Sequence, residues 1–192
     1  MARALRADAE RSVRAILEAA ERVLADDPAA SMEQIAEAAG LTRTTVHRRF
    51  ANRQALLSAL AVSAKQQLVD AIEDARPDAA PAHVALHRVT ANALRVKSAW
   101  RFTLGHPMAD TSAAAEIWAD INVRTLALLS RAQREGLIDP DADLEWTRQV
   151  YYALLSQALK RPGADQDPDA HDPDVLATLV IDTLLHGAGP HR

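Results

Sequence analysis

The segment "SMEQIAEAAGLTRTTVHRRF", Ser31 to Phe50, holds two short helices and the turn between them. Ser31 and Gln34 form S-x-x-Q, a pair whose side chains satisfy each other's free amides at a helix start. The pattern predicts a helix from Met32 to Ala39. Gly40 stops it, because glycine takes a left-handed backbone without steric cost. Thr42 then caps a second helix, Arg43 to Phe50. Ile35, Ala39, Leu41, Val46 and Phe50 are apolar where a three-helix core needs them, and Ala36 is small where the two helices cross. That forces Arg43, Thr44, His47, Arg48 and, near the end, Arg49 outward. Helix, glycine turn, helix is the helix-turn-helix arrangement.

The outward face is strongly basic in an acidic chain. The net charge is −4, yet Leu41 to Arg53 contains four arginines and no acid. Residues 1–60 carry nine Lys/Arg against eight Asp/Glu, and residues 61–192 thirteen against eighteen. Positive charge gathered on one element is the footprint of a duplex-reading surface. Arginine donates two hydrogen bonds to guanine in the major groove, and threonine touches a thymine methyl or a phosphate. Arg53, at the start of the next helix, is placed to reach the backbone of the duplex.

Outward from this segment the chain reads as all-α. Aromatics are only 4% against 48% hydrophobic residues, with alanine very frequent, a mix that favours helices over sheets. The first helix is expected over about Ala7–Ala25, with Val13, Ile16, Leu17, Ala20, Val23 and Leu24 on one face. Asn52 caps a long helix, Arg53 to about Ala75, and "RPDAAP" follows as a linker. Further helices are expected over Ala82–Ser98, over a short stretch before "GHP", and over Ser112–Glu135, Leu144–Lys160 and Pro173–His186. Asp143 and Asp172 are placed as caps, and Gly136 and Gly187 as stops. About nine helices result, with domains at 1–51 and 52–192 and Arg53–Ala75 connecting them.

Cysteine is absent, so disulfides, thiolate metal sites and a cysteine nucleophile are excluded. The opening "MARALRADAERSVRAIL" lacks the apolar run of a secretory leader, and no stretch reaches membrane-helix length. A cytoplasmic protein without a membrane partner is expected. Phosphate-binding G-x-x-x-x-G-K, G-x-S-x-G and H-E-x-x-H motifs are missing, so no enzyme is expected. The alternatives are a helical protein-interaction module and an all-α enzyme that binds no DNA.

"SMEQIAEAAGLTRTTVHRRFANRQALL" resembles the N-terminal domain of the TetR (tetracycline-repressor-like) family of transcriptional regulators. The likeness lies in I-A-x-x-A-G, the polar cap, the helix ending in phenylalanine, the basic residue after it and the leucine pair. It covers about residues 10–60. Two positions depart from the family: His47 stands where tyrosine is usual, and Arg49 where histidine is common. The loop "ADDPAA" also turns on Pro28 rather than on glycine. The resemblance implies that Arg43, Thr44 and His47 face bases, while Ser31, Thr45, Arg48, Arg49 and Arg53 hold phosphates. It further implies repression of transcription, a double-stranded operator as partner and a small-molecule pocket among the central helices.

Candidate pocket residues are His83, His87, Trp100, Phe102, His106, Met108, Trp118, Asn122 and Tyr152. His83 and His87 stand at i, i+4, a metal spacing, but no third ligand lies near them in sequence. No metal or cofactor is expected. The last two helices are apolar on more than one side, which calls for two packing partners. Trp146, Val150, Ala153 and Gln157, with Leu176, Leu179, Val180 and Leu184, are the candidate contacts of a homodimer. Two copies would place two reading helices about 34–36 Å apart, one turn of a palindromic site.

Overall fold

The computed structural model describes residues 2–105, 112–160 and 171–187. Among them there are nine α-helices, one 3-10 turn and no strand. They are α1 (Ala2–Asp26), α2 (Met32–Ala38), α3 (Arg43–Arg49), α4 (Arg53–Asp74), α5 (Ala82–Ala99), α6 (Arg101–Gly105), α7 (Ser112–Arg134), α8 (Leu144–Ala158) and α9 (Pro173–His186). The 3-10 turn, Pro77–Ala79, lies in the segment read as linker. Helix α1 begins five residues earlier than its apolar stripe indicates, so its first turns are helical without a buried-face pattern to announce them.

The chain divides into two compact units. One contains Met1–Lys65 and Trp100–Ala115, the other Gln66–Ala99 and Glu116–Arg192. The boundary therefore falls inside α4 rather than after residue 51, and α6 groups with the N-terminal helices.

In the first unit α1 packs on α2 and α6, and α2 on α3. Its core holds Ile16, Leu24, Ile35, Val46, Leu56 and Leu60, all inaccessible to water, with Phe50 nearly so. The first half of α4 supplies two of those leucines, which is why it belongs here. The helix starts are capped as the sequence requires. The Ser31 hydroxyl accepts the Gln34 amide at 3.2 Å, and Gln34 Oε1 accepts the Ser31 amide at 2.7 Å. Thr42 Oγ1 accepts the Thr45 amide at 3.2 Å, and Asn52 Oδ1 the Ala55 amide at 2.9 Å. Glu21, on the apolar side of α1, is the buried acid of this unit. It accepts the Phe102 amide at 2.7 Å, the Thr103 amide and the Thr103 hydroxyl, so a carboxylate of α1 caps α6.

The second unit packs α9 between α5 and α8. Leu86, Leu94, Leu129, Leu176 and Val180 are fully enclosed. Leu176 and Val180, placed above among dimer contacts, are thus core residues of their own subunit: the α5 and α8 faces of α9 consume them. Tyr151 and Thr90, both buried, share a 2.9 Å hydrogen bond. Glu135 Oε2 accepts the Ala82 amide at 2.7 Å and closes the start of α5. Gln133 Nε2 donates to the carbonyls of Asp139 and Ala142 and holds the α7–α8 turn.

Burial, and secondarily the charge of Lys160, hold the half-buried Lys97 below the ordinary lysine value of 10.5. The native chain then binds fewer protons than the unfolded one, so this residue makes stability rise with pH until 10.5 is passed. Lys97→Met is expected to raise the Tm by a few degrees at pH 7. That gain should shrink as pH approaches 10.5, as read by thermal melts across pH.

Candidate nucleic-acid interface and cavity

Helix α3 owes its exposed face to the turn that precedes it. Gly40 has φ +65°, and its amide donates to Glu37 O while that of Leu41 donates to Ala36 O. This closes the free carbonyls of α2 and sends the chain back across it. Val46 then points inward and is fully buried, with Phe50 beside it at the helix end. Arg43, Thr44, His47 and Arg48 are exposed on the opposite side. His47, Arg48 and Arg49 also occupy the last turn, where the helix dipole favours positive charge.

The other residues assigned to a duplex differ in their freedom. Arg43 Nη1 lies 2.9 Å from Glu33 Oε1. Both groups are exposed, so this pair is worth about 0–1 kcal/mol and yields readily to a phosphate or base. The Thr45 hydroxyl is half-buried and bonds the Thr42 hydroxyl at 2.9 Å, and Ser31 is committed to its capping box. Arg49 is half-buried, with its Nε closed off from water and without a hydrogen-bond acceptor. Arg53 has hydrogen-bond partners within its own unit. Its guanidinium donates to Ala30 O and, at 2.6 Å, to Pro28 O. It fastens the α1–α2 loop, because those carbonyls lie outside any helix and need donors.

In the second unit three of the nine pocket candidates come together. The Trp118 and Tyr152 rings are 5.3 Å apart, and the Tyr152 hydroxyl donates toward Asn122 Oδ1 at 3.0 Å. Arg148 adds a 3.0 Å bond to the same Asn122 oxygen and lies 5.3 Å from the Tyr152 ring centre. Burial raises Tyr152 above the ordinary tyrosine value, against the pull of its bonds to Thr125 and Arg148, so it is a neutral donor. His83 and His87 line a different groove, between α5 and α9, with His186. The Thr178 hydroxyl gives its proton to Asp174 O, so in the 3.0 Å contact His87 Nε2 is the donor. No group of three or more metal-ligating side chains occurs among the described residues. Trp100 and Phe102 belong to the first unit, Trp100 buried and Phe102 half-buried. His106 and Met108 lie outside the described residues.

A cavity of about 270 Å³ lies elsewhere in the second unit, lined by α4, the 3-10 turn, α5, α7 and α8. Ile72, Leu86, Val89 and Leu128 give it apolar walls, and Arg124, Thr125, Arg131 and Tyr151 supply polar groups. None of the nine candidates lines it. The overlooked signal was Arg131, a cation one helical turn beyond Leu128 on the buried side of α7.

A capped cationic helix behind a glycine turn, with a second all-helical unit that encloses a cavity, defines a helix-turn-helix regulator. The description "bacterial regulatory proteins, tetR family" fits residues 16–60. The HTH-type transcriptional repressor LfrR of Mycolicibacterium smegmatis is 40% identical over 179 residues, 92% of each chain. The chain belongs to the tetR family of regulatory proteins, which are transcriptional regulators and not enzymes. The crystal structure of the TetR-like regulator LfrR from Mycobacterium smegmatis in complex with proflavine matches with a TM-score of 0.74 at 32% identity. It covers 95% of this chain and 99% of that one. The fatty acid degradation regulator FadR of Bacillus halodurans shares the fold at 20% identity, with a TM-score of 0.75 over 94% of this chain and 97% of its own. No described helix is long and apolar enough to cross a membrane.

The contrast between Arg48 and Arg53 is measurable. Arg48→Ala is expected to weaken duplex binding and to lower the slope of log affinity against log salt by about 0.9 per phosphate lost, with an unchanged Tm. Arg53→Ala is expected to lose about 1–3 kcal/mol of stability, seen in denaturant titration, because the α1–α2 loop loses its anchor.

Proposed function

We propose that the protein is a homodimeric repressor that binds a palindromic operator through α3 of each subunit and is released by a small-molecule effector. One observation carries the reading: Arg43, Thr44, His47 and Arg48 stand exposed together on a helix fixed at both ends. His47 and Thr44 supply base-edge contacts and Arg48 a phosphate contact. The half-buried Arg49 and Thr45 set the helix in place more than they touch nucleic acid. The 40% identity to a repressor supports the direction of regulation.

The partner subunit is assigned to the outer face of α8 and α9. Trp146 is 64% exposed, Val175 46% and Leu179 42%, and Ala153 and Gln157 continue the α8 stripe. Large apolar side chains in one stripe mark a surface that a second copy covers. Leu184 is half-buried and flanks this stripe.

The effector is assigned to the 270 Å³ cavity of the second unit, near the lower end of the range for small-molecule sites. That a structure of LfrR holds proflavine supports the presence of an effector site of this scale. Binding there releases DNA only to the extent that the effector prefers the form that does not fit the operator.

Selection of bound sequences from random duplexes tests the whole reading. A two-fold symmetric product is expected, and a product without symmetry would overturn dimeric recognition. Leu179→Asp and Trp146→Asp are expected to elute as folded monomers on size exclusion and to lose at least tenfold in operator affinity. Leu176→Asp should instead unfold the chain.

A further inference from the structure

Among the residues that line the cavity of the second unit, Arg131 is the one with side-chain nitrogens both buried and without an acceptor. Three arginines line it, all from α7. Arg124 is paired with two acids: its Nε lies 2.6 Å from Asp120 and its Nη1 3.0 Å from Glu73. Arg134 is exposed and donates to Ser130 Oγ at 2.8 Å. Arg131 is different. Its side chain is 19% exposed, its Nη1 lies 3.6 Å from Asp78 and its Nε 3.4 Å from Glu135 Oε1. Its Nε and Nη2 are sealed from water and donate to no acceptor.

Those two nitrogens lie on the same edge of the guanidinium. Their N–H bonds run parallel, the spacing that meets both oxygens of a carboxylate or of a phosphate. The neighbouring acids do not fill that role. Asp78 is fully exposed on the 3-10 turn, and the other oxygen of Glu135 is committed to the Ala82 amide. A guanidinium with idle buried donors is costly, and an entering oxyanion repays the cost on the ligand's account. The long, unbranched arginine side chain needs only torsional rotation to turn the edge toward the cavity, which Arg131 already lines.

We propose that the effector of this cavity is an acidic amphiphile. Its hydrocarbon or aromatic body packs against Ile72, Leu86, Val89 and Leu128, and its oxyanionic head is taken by the idle edge of Arg131. This rests on the assignment of the effector to this cavity. It separates the protein in ligand charge from LfrR, which holds the cationic dye proflavine in its crystal structure.

The test uses the full-length dimer and three probes: 2-naphthoate, its neutral relative 2-naphthamide, and proflavine. Titration calorimetry reads binding, and a gel shift on a selected duplex reads release. Naphthoate is expected to bind at least tenfold more tightly than naphthamide, and Arg131→Gln to erase that preference while the amide binds as before. If Arg131→Gln unfolds, Arg131→Lys decides, since lysine keeps the charge without the two-pronged edge and should lose most of the preference. Equal binding of acid and amide, no binding of the acid, or a preference that survives both variants overturns the proposal. Release of duplex by proflavine alone overturns the acidic head but leaves the repressor reading standing. Arg131-dependent naphthoate binding without release supports the head-group assignment and overturns release by this cavity.

Discussion

The left-handed residue Gly40 is the constraint on which the exposed basic face of α3 depends. Two hydrogen bonds straddle it, from Gly40 N to Glu37 O at 3.0 Å and from Leu41 N to Ala36 O at 2.9 Å. Together they end α2 and fix the direction in which α3 sets out. A Cβ at Gly40 would meet nothing within 4 Å, so the requirement is on the backbone angle and not on space. Once that direction is fixed, burial of Val46 settles which side of α3 is inside. The cationic side is then the remainder, and its last-turn position favours the charge that DNA also demands. Stability and function ask the same thing of His47, Arg48 and Arg49.

The same device ends α7. Gly136 has φ +78°, its amide donates to Gln133 O, and the Leu137 amide donates to Ala132 O. A glycine followed by leucine appears at both turns, and the leucine is half-buried at each. These punctuation marks explain why helix boundaries were legible in the sequence. Caps at Ser31, Thr42, Asn52, Asp143 and Asp172 are local chemistry within four residues, and all are present. The outward set on α3 was legible for the same reason, since one buried valine determines its face.

What escaped the sequence is long-range. Arg53 sits where a phosphate contact would, but its acceptors are carbonyls 23 and 25 residues away. The grouping of α6 with the N-terminal helices follows from Glu21, whose partners lie some eighty residues along the chain. An acid between Leu17 and Leu24 on the apolar stripe of α1 was a visible anomaly, but nothing local named its partner. On α9 the apolar residues nearly encircle the helix. Periodicity could show an excess of apolar surface without saying that Leu176 and Val180 turn inward while Val175 and Leu179 turn out. Residue type does not locate the cavity, because its walls are largely aliphatic side chains that read in sequence as ordinary core.

The fully buried polar residues of this chain are well matched, and among the described residues the side-chain nitrogens sealed from water without an acceptor belong to Arg49, His171 and Arg131; Arg131 differs from the other two in having two such nitrogens and in lining the cavity. Glu21, Thr90, Thr103 and Thr125 are the buried polar side chains among the described residues, and each has a partner. Glu21 takes amide and hydroxyl donors, Thr90 meets Tyr151, and Thr125 donates to Ile121 O. A fold that satisfies these groups so fully has the means to satisfy an arginine, since aspartate and glutamate already stand within 4 Å of Arg131. Yet neither acid serves the idle pair: Asp78 approaches Nη1, the 3.4 Å Glu135 contact to Nε lacks hydrogen-bonding geometry, and Nη2 has no acceptor. A donor pair kept idle beside a cavity is more economically explained by a partner that comes and goes than by a failure of packing. An acceptor supplied by an effector is such a partner, and its arrival changes the balance of forces on α7 only when the effector is bound.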